Sequence, residues 1–473
     1  DKRTLREIYL AGFERAVKKG KPYCVMCSYN KINGEYTSES KYLLTDVLRN
    51  EWGFDGVVVS DWGAVRNHVK SLKAGIDIAM PHMENDTDIL KAAYEKGEIT
   101  MEEINSAVKR VIEITEKTSS VSGKGIRKNH DEVALKAAEE SMVLLKNEGV
   151  LPLKKKGKIL VIGYQAVKPV IQGDGSSFVN DCSASPLDEF RKVCGEEAEF
   201  IFPGEDFTSP SVNTVNVIGI KLSIMCSSAD AVIIFAGNEF GVESEAFDRN
   251  SINIPSYMDE IIRFAGGINK NTVIVANTGA PIAMPWKEAV PAILQTNFTG
   301  RALGRALAEI IFGEVNPSGK LAETYPNSLQ EIPAMRTYSG ENLIAEYKEG
   351  LMVGYRYYDT FAVKPLFAFG HGLSYTEFKY KDMKIVNSLG KEGILSLSLT
   401  VENTGNYDGK ETVQIYVSQK NPPVTRPFKE LKAFGKKNIA KGSSEVFEFQ
   451  LNKDDFAYYD ELNNCWKAAY GEY

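Results

Sequence analysis

One carboxylate follows directly on a short apolar segment. Asp61 comes after Val57-Val58-Val59-Ser60 and precedes Trp62. In parallel α/β folds the carboxyl ends of the strands carry the active site. An acid there could attack the anomeric carbon of a sugar, with the indole as a stacking platform for the ring. Because aspartate also caps helices well, the alternative is that Asp61 only begins the following helix.

A second group of acids follows a later apolar run that ends at Gly237. It comprises Glu239, Glu243, Glu245 and Asp248. Four acids within ten residues are commonly a solvated loop, and composition alone favours that interpretation. Glycoside hydrolysis nevertheless requires two carboxylates from different segments. In the retaining mode one is an ionised nucleophile and the other a protonated acid about 5–5.5 Å away.

Other kinds of site have weaker support in the sequence. The loop at residues 173–177 (GDGSS) invites a phosphate-binding interpretation, but it lacks GxGxxG spacing and a Walker lysine, which favours a simple tight loop. Residues 370–375 (GHGLSY) lack the GxSxG spacing of a serine hydrolase. We expect no metal and no cofactor, because the histidines are scattered at positions 68, 82, 130 and 371.

Composition narrows the class of protein. The 473 residues carry 56 Lys and Arg against 63 Asp and Glu, a net charge of −7, which argues against a nucleic-acid partner. No stretch approaches the roughly 20 apolar residues of a membrane helix. We therefore expect no membrane partner, and favour a cytoplasmic location while leaving secretion open. Length alone predicts about three domains.

The first 118 residues predict alternating helices and strands. Thr4 and Glu7 suggest a capping box that opens an amphipathic helix. Apolar strands are expected at 23–29, 57–60 and 76–80, and such short runs between helices are typical of a parallel sheet. Cys24 and Cys27 fall within the first of these strands, where we expect inert core thiols.

The rest of the chain divides into two regions. A helix over 132–146 and strands at 159–163, 231–237 and 272–277 indicate a second parallel or mixed sheet that ends near Pro326. The last hundred residues alternate apolar and polar side chains with period two, which predicts an antiparallel sandwich. This alternation is clearest at 395–401, 413–417 and 447–451.

Two distinctive segments lie early in the chain, residues 25–30 (VMCSYN) and 52–64 (WGFDGVVVSDWGA). Both resemble glycoside hydrolase family 3, the β-glucosidase type. Further segments resemble the same family in the same order: 243–249 (ESEAFDR), 317–321 (PSGKL), 355–359 (YRYYD) and 367–375 (FAFGHGLSY). The resemblance covers nearly the whole chain, and this combination of motifs is highly specific.

The resemblance implies an α/β plus β architecture that agrees with the three regions. We expect the C-terminal part of a TIM-like (β/α)8 barrel at 1–118, a linker at 119–131 and an α/β sandwich at 132–330. A connecting segment at 331–376 and a fibronectin type III-like β-sandwich at 377–473 follow. A whole barrel has eight strands in about 250 residues, and we count three.

The resemblance also implies roles for individual residues. Asp61 matches the catalytic nucleophile, and Trp62 matches an aromatic residue that lines the sugar subsites. Met26 and Tyr29 match residues beside the nucleophile, and Tyr29 is expected to hydrogen-bond the attacking carboxylate. Glu245 matches the general acid/base.

The acid/base assignment has one alternative. The family's pattern here is Glu-Gly-aromatic-Asp-Arg, and Ala246 replaces the glycine. This departure leaves Glu243 as a second candidate.

The implied activity is release of terminal β-D-glucosyl residues from β-glucosides, including cello-oligosaccharides, by double displacement. Because barrel strands, upstream sugar-binding residues and the last sandwich strand lack counterparts, we expect the later part of a larger protein. The isolated chain should be poorly active unless a homo-oligomer or companion chain supplies the missing strands. The alternatives are a non-catalytic carbohydrate-binding or structural remnant, a β-xylosidase or another exo-β-glycosidase of the family, and a nucleotide-binding protein that uses residues 173–177.

Overall fold

The computed structural model describes residues 1–119, 129–180, 183–204, 215–387 and 393–473, so most of the predicted linker lies outside the described residues. These residues form two compact units. The first takes in Asp1–Arg127 and Tyr459–Cys465, and the second Lys128–Tyr458 and Trp466–Tyr473. Within the described ranges, no helix is long and apolar enough to cross a membrane.

The first unit is mainly helical. Its α-helices are α1 Lys2–Thr4, α2 Ala11–Arg15, α3 His68–Ala74, α4 Asp86–Glu95 and α5 Met101–Ser119. Wider π-helical turns at Leu5–Tyr9 and Ala16–Gly20 make the opening segment one continuous helix, and a third π-helix spans Tyr42–Glu51. Helix α5 begins with a capping box, since the Thr100 backbone N–H donates to the Glu103 carboxylate and the Glu103 N–H donates to the Thr100 hydroxyl.

The predicted cap of the opening helix is wrong. The backbone N–H of Thr4 donates to the Asp1 carboxylate at 2.6 Å, so the helix begins three residues earlier than the pattern indicates. Glu7 accepts instead from the Arg3 guanidinium at 2.7 Å and from the Tyr459 backbone at 2.7 Å. The residue spacing is compatible with either Asp1 or Thr4 as the N-cap, and the hydrogen bonds of the folded chain select Asp1.

The first unit has a small parallel sheet. Strands β1 Cys24–Cys27 and β4 Val57–Ser60 pair in parallel, and the short strands β2 Lys31–Ile32 and β3 Glu35–Tyr36 form an antiparallel hairpin. The expected strand at 76–80 is reduced to a single parallel bridge between Val59 and Ile78. Cys27 is buried as expected, but Cys24 is exposed, because β1 pairs only on its β4 side within the described part of the chain.

A buried carboxylate ties these elements together. The Asp77 side chain is 0% exposed. One oxygen accepts from Arg49 Nη2 at 2.7 Å and from the backbone N–H of Val58 at 2.8 Å, and the other accepts from Arg110 Nε at 2.7 Å. Asp77 thus joins the 42–51 helix and α5 to strand β4.

The second unit contains a six-stranded mixed sheet in the order β5-β10-β9-β8-β6-β7. Its strands are β5 Val143–Asn147, β6 Gly157–Ile162, β7 Ala198–Ile201, β8 Ala231–Ala236, β9 Thr272–Ala276 and β10 Ala292–Gln295. All pairs are parallel except β5 with β10. The predicted second sheet is therefore confirmed, and each of its faces packs against a separate apolar core.

The helices of this unit are α6 His130–Ser141, α7 Pro186–Cys194, α8 Val215–Ser228, α9 Ser256–Ile268, α10 Leu303–Ile311 and α11 Tyr355–Thr360. The expected helix over 132–146 is wrong only at its end: α6 stops at Ser141, and Val143, Leu144 and Leu145 lie in strand β5. An apolar run of this length suits a helix or a strand, and pairing with β10 decides for the strand.

The strands near the chain end are β11 Phe378–Asn387, β12 Ile394–Asn403, β13 Gly409–Val417, β14 Glu430–Ile439, β15 Ser444–Asn452, β16 Ala457–Asp460 and β17 Cys465–Ala468. The period-two alternation at 395–401, 413–417 and 447–451 correctly predicts β12, β13 and β15. Strands β11-β12-β15 form one antiparallel sheet and β13-β14 another. Inward side chains such as Val401, Val413 and Phe447 form a buried cluster.

We predict that Asp77→Asn lowers the free energy of unfolding by about 3–5 kcal/mol, because it leaves two arginines facing each other without their buried counter-charge. Urea unfolding followed by tryptophan fluorescence measures the change. Lys109→Ala on α5 is the matched control, since its ion pair with Glu113 is exposed and its removal should change stability by less than about 0.5 kcal/mol. Equal stabilities for the two variants would contradict the prediction.

Candidate active site

Asp61 is the first residue after β4. Its backbone N–H donates to the Cys27 carbonyl at 3.2 Å, and its carboxylate accepts from the backbone N–H of Trp62 at 2.7 Å. A turn closes behind it through a 3.0 Å bond from the Ala64 N–H to the Asp61 carbonyl. Gly63 occupies this turn with φ +79°, a conformation that favours glycine. Backbone bonds thus fix Asp61 at the strand end, and the Trp62 N–H holds one oxygen of its carboxylate.

The other predicted sugar-site residues of the first unit lie near Asp61 in the fold. Met26 pairs in register with Val59, and Tyr29 follows the end of β1. Because β1 and β4 are parallel, their carboxyl ends meet at the same sheet edge. Trp62 is 64% exposed, Met26 58% and Tyr29 46%, so these side chains are accessible to a ligand in this unit.

Glu245 belongs to the second unit, in the loop after β8. Its Oε2 accepts from the backbone N–H of Ser176 at 2.7 Å and also from the Ser176 hydroxyl. Ser176 lies in a short 3₁₀ turn, Gly175–Ser177. The predicted acid/base is therefore exposed and held by the loop at residues 173–177.

Glu243, the alternative acid/base, has different surroundings. It is half-buried, and its Oε1 accepts from Asn238 Nδ2 at 3.1 Å. Its Oε2 accepts from the Gly279 backbone N–H at 2.9 Å. One oxygen thus holds the Asn238 side chain and the other the Gly279 backbone.

A cavity of about 670 Å³ opens beside Glu245 within the second unit. Apolar and aromatic side chains form much of its wall: Phe247, Ile252, Ala280, Phe298, Leu329, Met335 and Tyr338. The Tyr338 hydroxyl donates to Asp248 at 2.5 Å, and this bond raises the pKa of the phenol. In the described residues, no group of three or more His, Cys, Asp or Glu side chains could hold a metal ion.

Sequence reasoning missed two residues of this site. Ser176 lies in the glycine-rich loop, for which the sequence suggests a tight connection or a phosphate site but no contact with Glu245. Its contact with Glu245 joins residues 69 apart in the chain. Tyr338 had no distinctive motif, because its partner Asp248 is 90 residues away.

The chain matches three family models in the predicted order. They are the Glycosyl hydrolase family 3 N terminal domain over residues 1–114, the Glycosyl hydrolase family 3 C-terminal domain over 142–375 and the Fibronectin type III-like domain over 411–473. The exact limits of the five predicted segments stay predictions.

Relatives agree with these matches. Thermostable beta-glucosidase B of Acetivibrio thermocellus is 43% identical, and an Exo-alpha-(1->6)-L-arabinopyranosidase of Bifidobacterium longum is 37% identical, each over 100% of this chain. The chain spans 63% of the length of both. The crystal structure of the Bifidobacterium adolescentis GH3 beta-glucosidase aligns with a TM-score of 0.92 and 38% identity, over 99% of this chain and 69% of that one.

The chain therefore belongs to glycoside hydrolase family 3, as its motifs predicted. The expected fold class is confirmed as well: part of a TIM-like barrel, an α/β sandwich and a fibronectin type III-like domain.

Ala246, which stands where the family's pattern has glycine, has φ +67°. The left-handed region costs an L-residue roughly 1–2 kcal/mol, whereas glycine adopts it freely. The chain thus retains the backbone conformation for which glycine is suited, with the residue after Glu245 under strain.

We predict that Ala246→Gly raises the free energy of unfolding by up to about 1 kcal/mol, because relief of strain outweighs the added entropy of the unfolded chain. Thermal unfolding followed by circular dichroism measures it. The control is Ala137→Gly, at an exposed site in helix α6, where glycine should instead cost about 0.5–1 kcal/mol. The same sign for both variants would show that Ala246 is unstrained.

Proposed function

We propose that this protein is a retaining β-glucosidase that releases terminal β-D-glucosyl residues by double displacement. The observation that carries the proposal is Asp61, a half-buried carboxylate at the carboxyl end of a parallel strand, which accepts from the Trp62 backbone N–H beside an exposed indole. A fixed carboxylate needs little reorganisation before it attacks the anomeric carbon. Trp62 offers the aromatic face on which a sugar ring stacks.

The reaction then takes two steps. Asp61 forms a bond to the anomeric carbon while the bond to the glycosidic oxygen breaks, and Glu245 gives its proton to that oxygen. The ionised Glu245 next takes a proton from water, and the resulting hydroxide displaces Asp61 from the sugar. Two inversions at the anomeric carbon give net retention of configuration.

Several contacts support Glu245 over Glu243 as the acid/base. A proton donor must reach the glycosidic oxygen, and Glu245 is exposed beside the 670 Å³ cavity. Glu243 uses both oxygens to hold Asn238 and Gly279, so moving it would break two bonds of the loop.

We also propose that the 473 residues by themselves are poorly active. In the described part of the first unit, β1 and β4 pair in parallel, and a single bridge links Val59 of β4 to Ile78. A (β/α)8 barrel, in contrast, closes with eight strands. Strands from the same protein or from a companion chain would complete the wall around Asp61. The non-catalytic alternative is not favoured, because the relatives that share this fold are named as glycosidases.

A second substrate is favoured by one specific observation. The Bifidobacterium longum relative is named an exo-α-(1→6)-L-arabinopyranosidase. The two glycosides present the same ring orientation at the scissile bond and differ at C4 and C5, so one pair of carboxylates could serve both. A panel of p-nitrophenyl β-D-glucoside, β-D-xyloside and α-L-arabinopyranoside separates these candidates. We expect the highest kcat/KM for the glucoside, and higher activity on the arabinoside would reverse the assignment.

We predict that Asp61→Asn in the intact protein lowers kcat on p-nitrophenyl β-D-glucoside by at least about a thousandfold, because the amide cannot act as nucleophile. Asp55→Asn is the matched control: this exposed aspartate lies two residues before the same strand, away from the end that carries Asp61, and should retain wild-type turnover. Wild-type turnover by Asp61→Asn would refute the role of this carboxylate.

Azide distinguishes the two candidate acids. In Glu245→Ala, azide should restore turnover of an activated aryl glucoside and yield β-glucosyl azide, since a small anion can attack the glycosyl-enzyme without a general base. Glu243→Ala should give no glycosyl azide. Formation of β-glucosyl azide by Glu243→Ala alone would transfer the role to Glu243, and nuclear magnetic resonance of the product identifies it.

A further inference from the structure

Two hydrogen-bond donors of one residue meet one oxygen of Glu245. The Ser176 backbone N–H lies 2.7 Å from Oε2, and the Ser176 hydroxyl donates to the same atom. We propose that residues 173–177, hereafter the clamp loop, position Glu245 and direct its transferable proton to Oε1. This inference rests on the proposed function, because it specifies how the acid/base of that reaction is held.

The clamp loop is fastened to the segment that carries Glu245. The Asp174 N–H donates to the Glu243 carbonyl at 3.2 Å, and the Glu245 N–H approaches the Asp174 carbonyl at 3.5 Å. Asp174 and Ser244 form a parallel bridge between the two segments. Backbone on both sides therefore sets the position of Ser176 relative to the carboxylate, and the clamp does not depend on the serine rotamer alone.

Gly175 leaves the space that the Glu245 side chain occupies. Its φ is +78°, and a Cβ built there would lie 2.7 Å from Glu245 Cβ and 2.8 Å from Oε2. Real Cβ atoms do not approach other heavy atoms this closely, so any larger residue would displace the carboxylate. Glycine is therefore required here to leave room for the Glu245 side chain, and not only to form a tight turn.

The arrangement suits both halves of the reaction. With two donors directed at Oε2, a proton on that oxygen would face two hydrogens, so the acidic proton belongs on Oε1. When Oε1 gives this proton to the glycosidic oxygen, the same two donors stabilise the resulting carboxylate. In the second step Oε1 takes a proton from water, and the bonds to Oε2 are retained throughout. Ser176 is thus a positioning residue that acts through Glu245.

The test compares two leaving groups in the intact protein. Phenyl β-D-glucoside needs protonation of its leaving oxygen, whereas 2,4-dinitrophenyl β-D-glucoside leaves without it. We expect Ser176→Ala to lower kcat/KM by about 10- to 100-fold on the phenyl substrate and to leave the dinitrophenyl substrate nearly unchanged. Gly175→Ala should show the same selectivity with a larger loss, and Ser176→Thr, which keeps the hydroxyl, should restore most of the activity.

The pH profile adds a readout that a purely structural role would not change. Donors to a carboxylate favour its ionised form, so removing the Ser176 hydroxyl should let the protonated form persist to higher pH. The alkaline limb of the kcat/KM profile on the phenyl substrate should therefore move upward in Ser176→Ala. Ser227→Ala, an exposed serine of helix α8 whose hydroxyl bonds Ser223, is the matched control and should leave both measurements unchanged.

The outcomes separate this proposal from the proposed function. Equal losses on both substrates with an unmoved pH profile would reduce Ser176 to a structural residue and overturn the clamp. Unchanged kinetics in Ser176→Ala and Gly175→Ala would also overturn the clamp. The proposed β-glucosidase function would stand in that case, because the wild-type protein would still cleave the glucosides. If the wild-type protein cleaves neither glucoside, the proposed β-glucosidase function is contradicted, and the clamp proposal, which rests on it, falls with it.

Discussion

The first unit depends on one buried charge. Asp77 is fully enclosed, and its two oxygens hold Arg49 from the π-helix, Arg110 from α5 and the backbone of β4 at Val58. Burial lowers the pKa of Arg49 because the guanidinium loses hydration, and the neighbouring Asp77 charge opposes this shift. The strand that presents Asp61 is thereby fixed three residues before the carboxylate. A group placed in this way can be held more firmly than one on a free loop.

The two candidate catalytic carboxylates are held by different means. Asp61 is positioned by a strand end and a tight turn, with its own neighbours as partners. Glu245 is on an exposed loop and is positioned by a second loop from earlier in the chain. This division fits the proposed chemistry, in which the nucleophile must be fixed for attack and the acid must exchange a proton with leaving group and water in turn. It also makes the clamp loop part of the site, although none of its side chains is an acid or base of the reaction.

The sequence correctly predicts secondary structure where the hydrophobic pattern is compatible with only one kind of element. Val57-Val58-Val59 and the alternating β12 and β15 segments suit strands only, and both are strands. The prediction is wrong where the same pattern is compatible with both a helix and a strand. The apolar run Val143–Leu145 suits a helix as well as β5, and pairing with β10, about 150 residues away, selects the strand. Cys24 was expected in the core because its neighbours are apolar, but burial depends on which strand lies alongside it.

The sequence by itself determined the family, the order of the domains and the identity of the residues that could do chemistry, because these are carried by contiguous motifs such as those around Asp61 and Glu245. Only the tertiary structure decided what each carboxylate touches: Glu243 on Asn238 and Gly279, Glu245 on Ser176, and Asp77 on two arginines. The physical reason is that hydrogen bonds and ion pairs depend on distances of about 3 Å between groups far apart in the chain. Residue types alone do not specify those distances, since several pairings of the same acids and donors are chemically acceptable until the backbone places them.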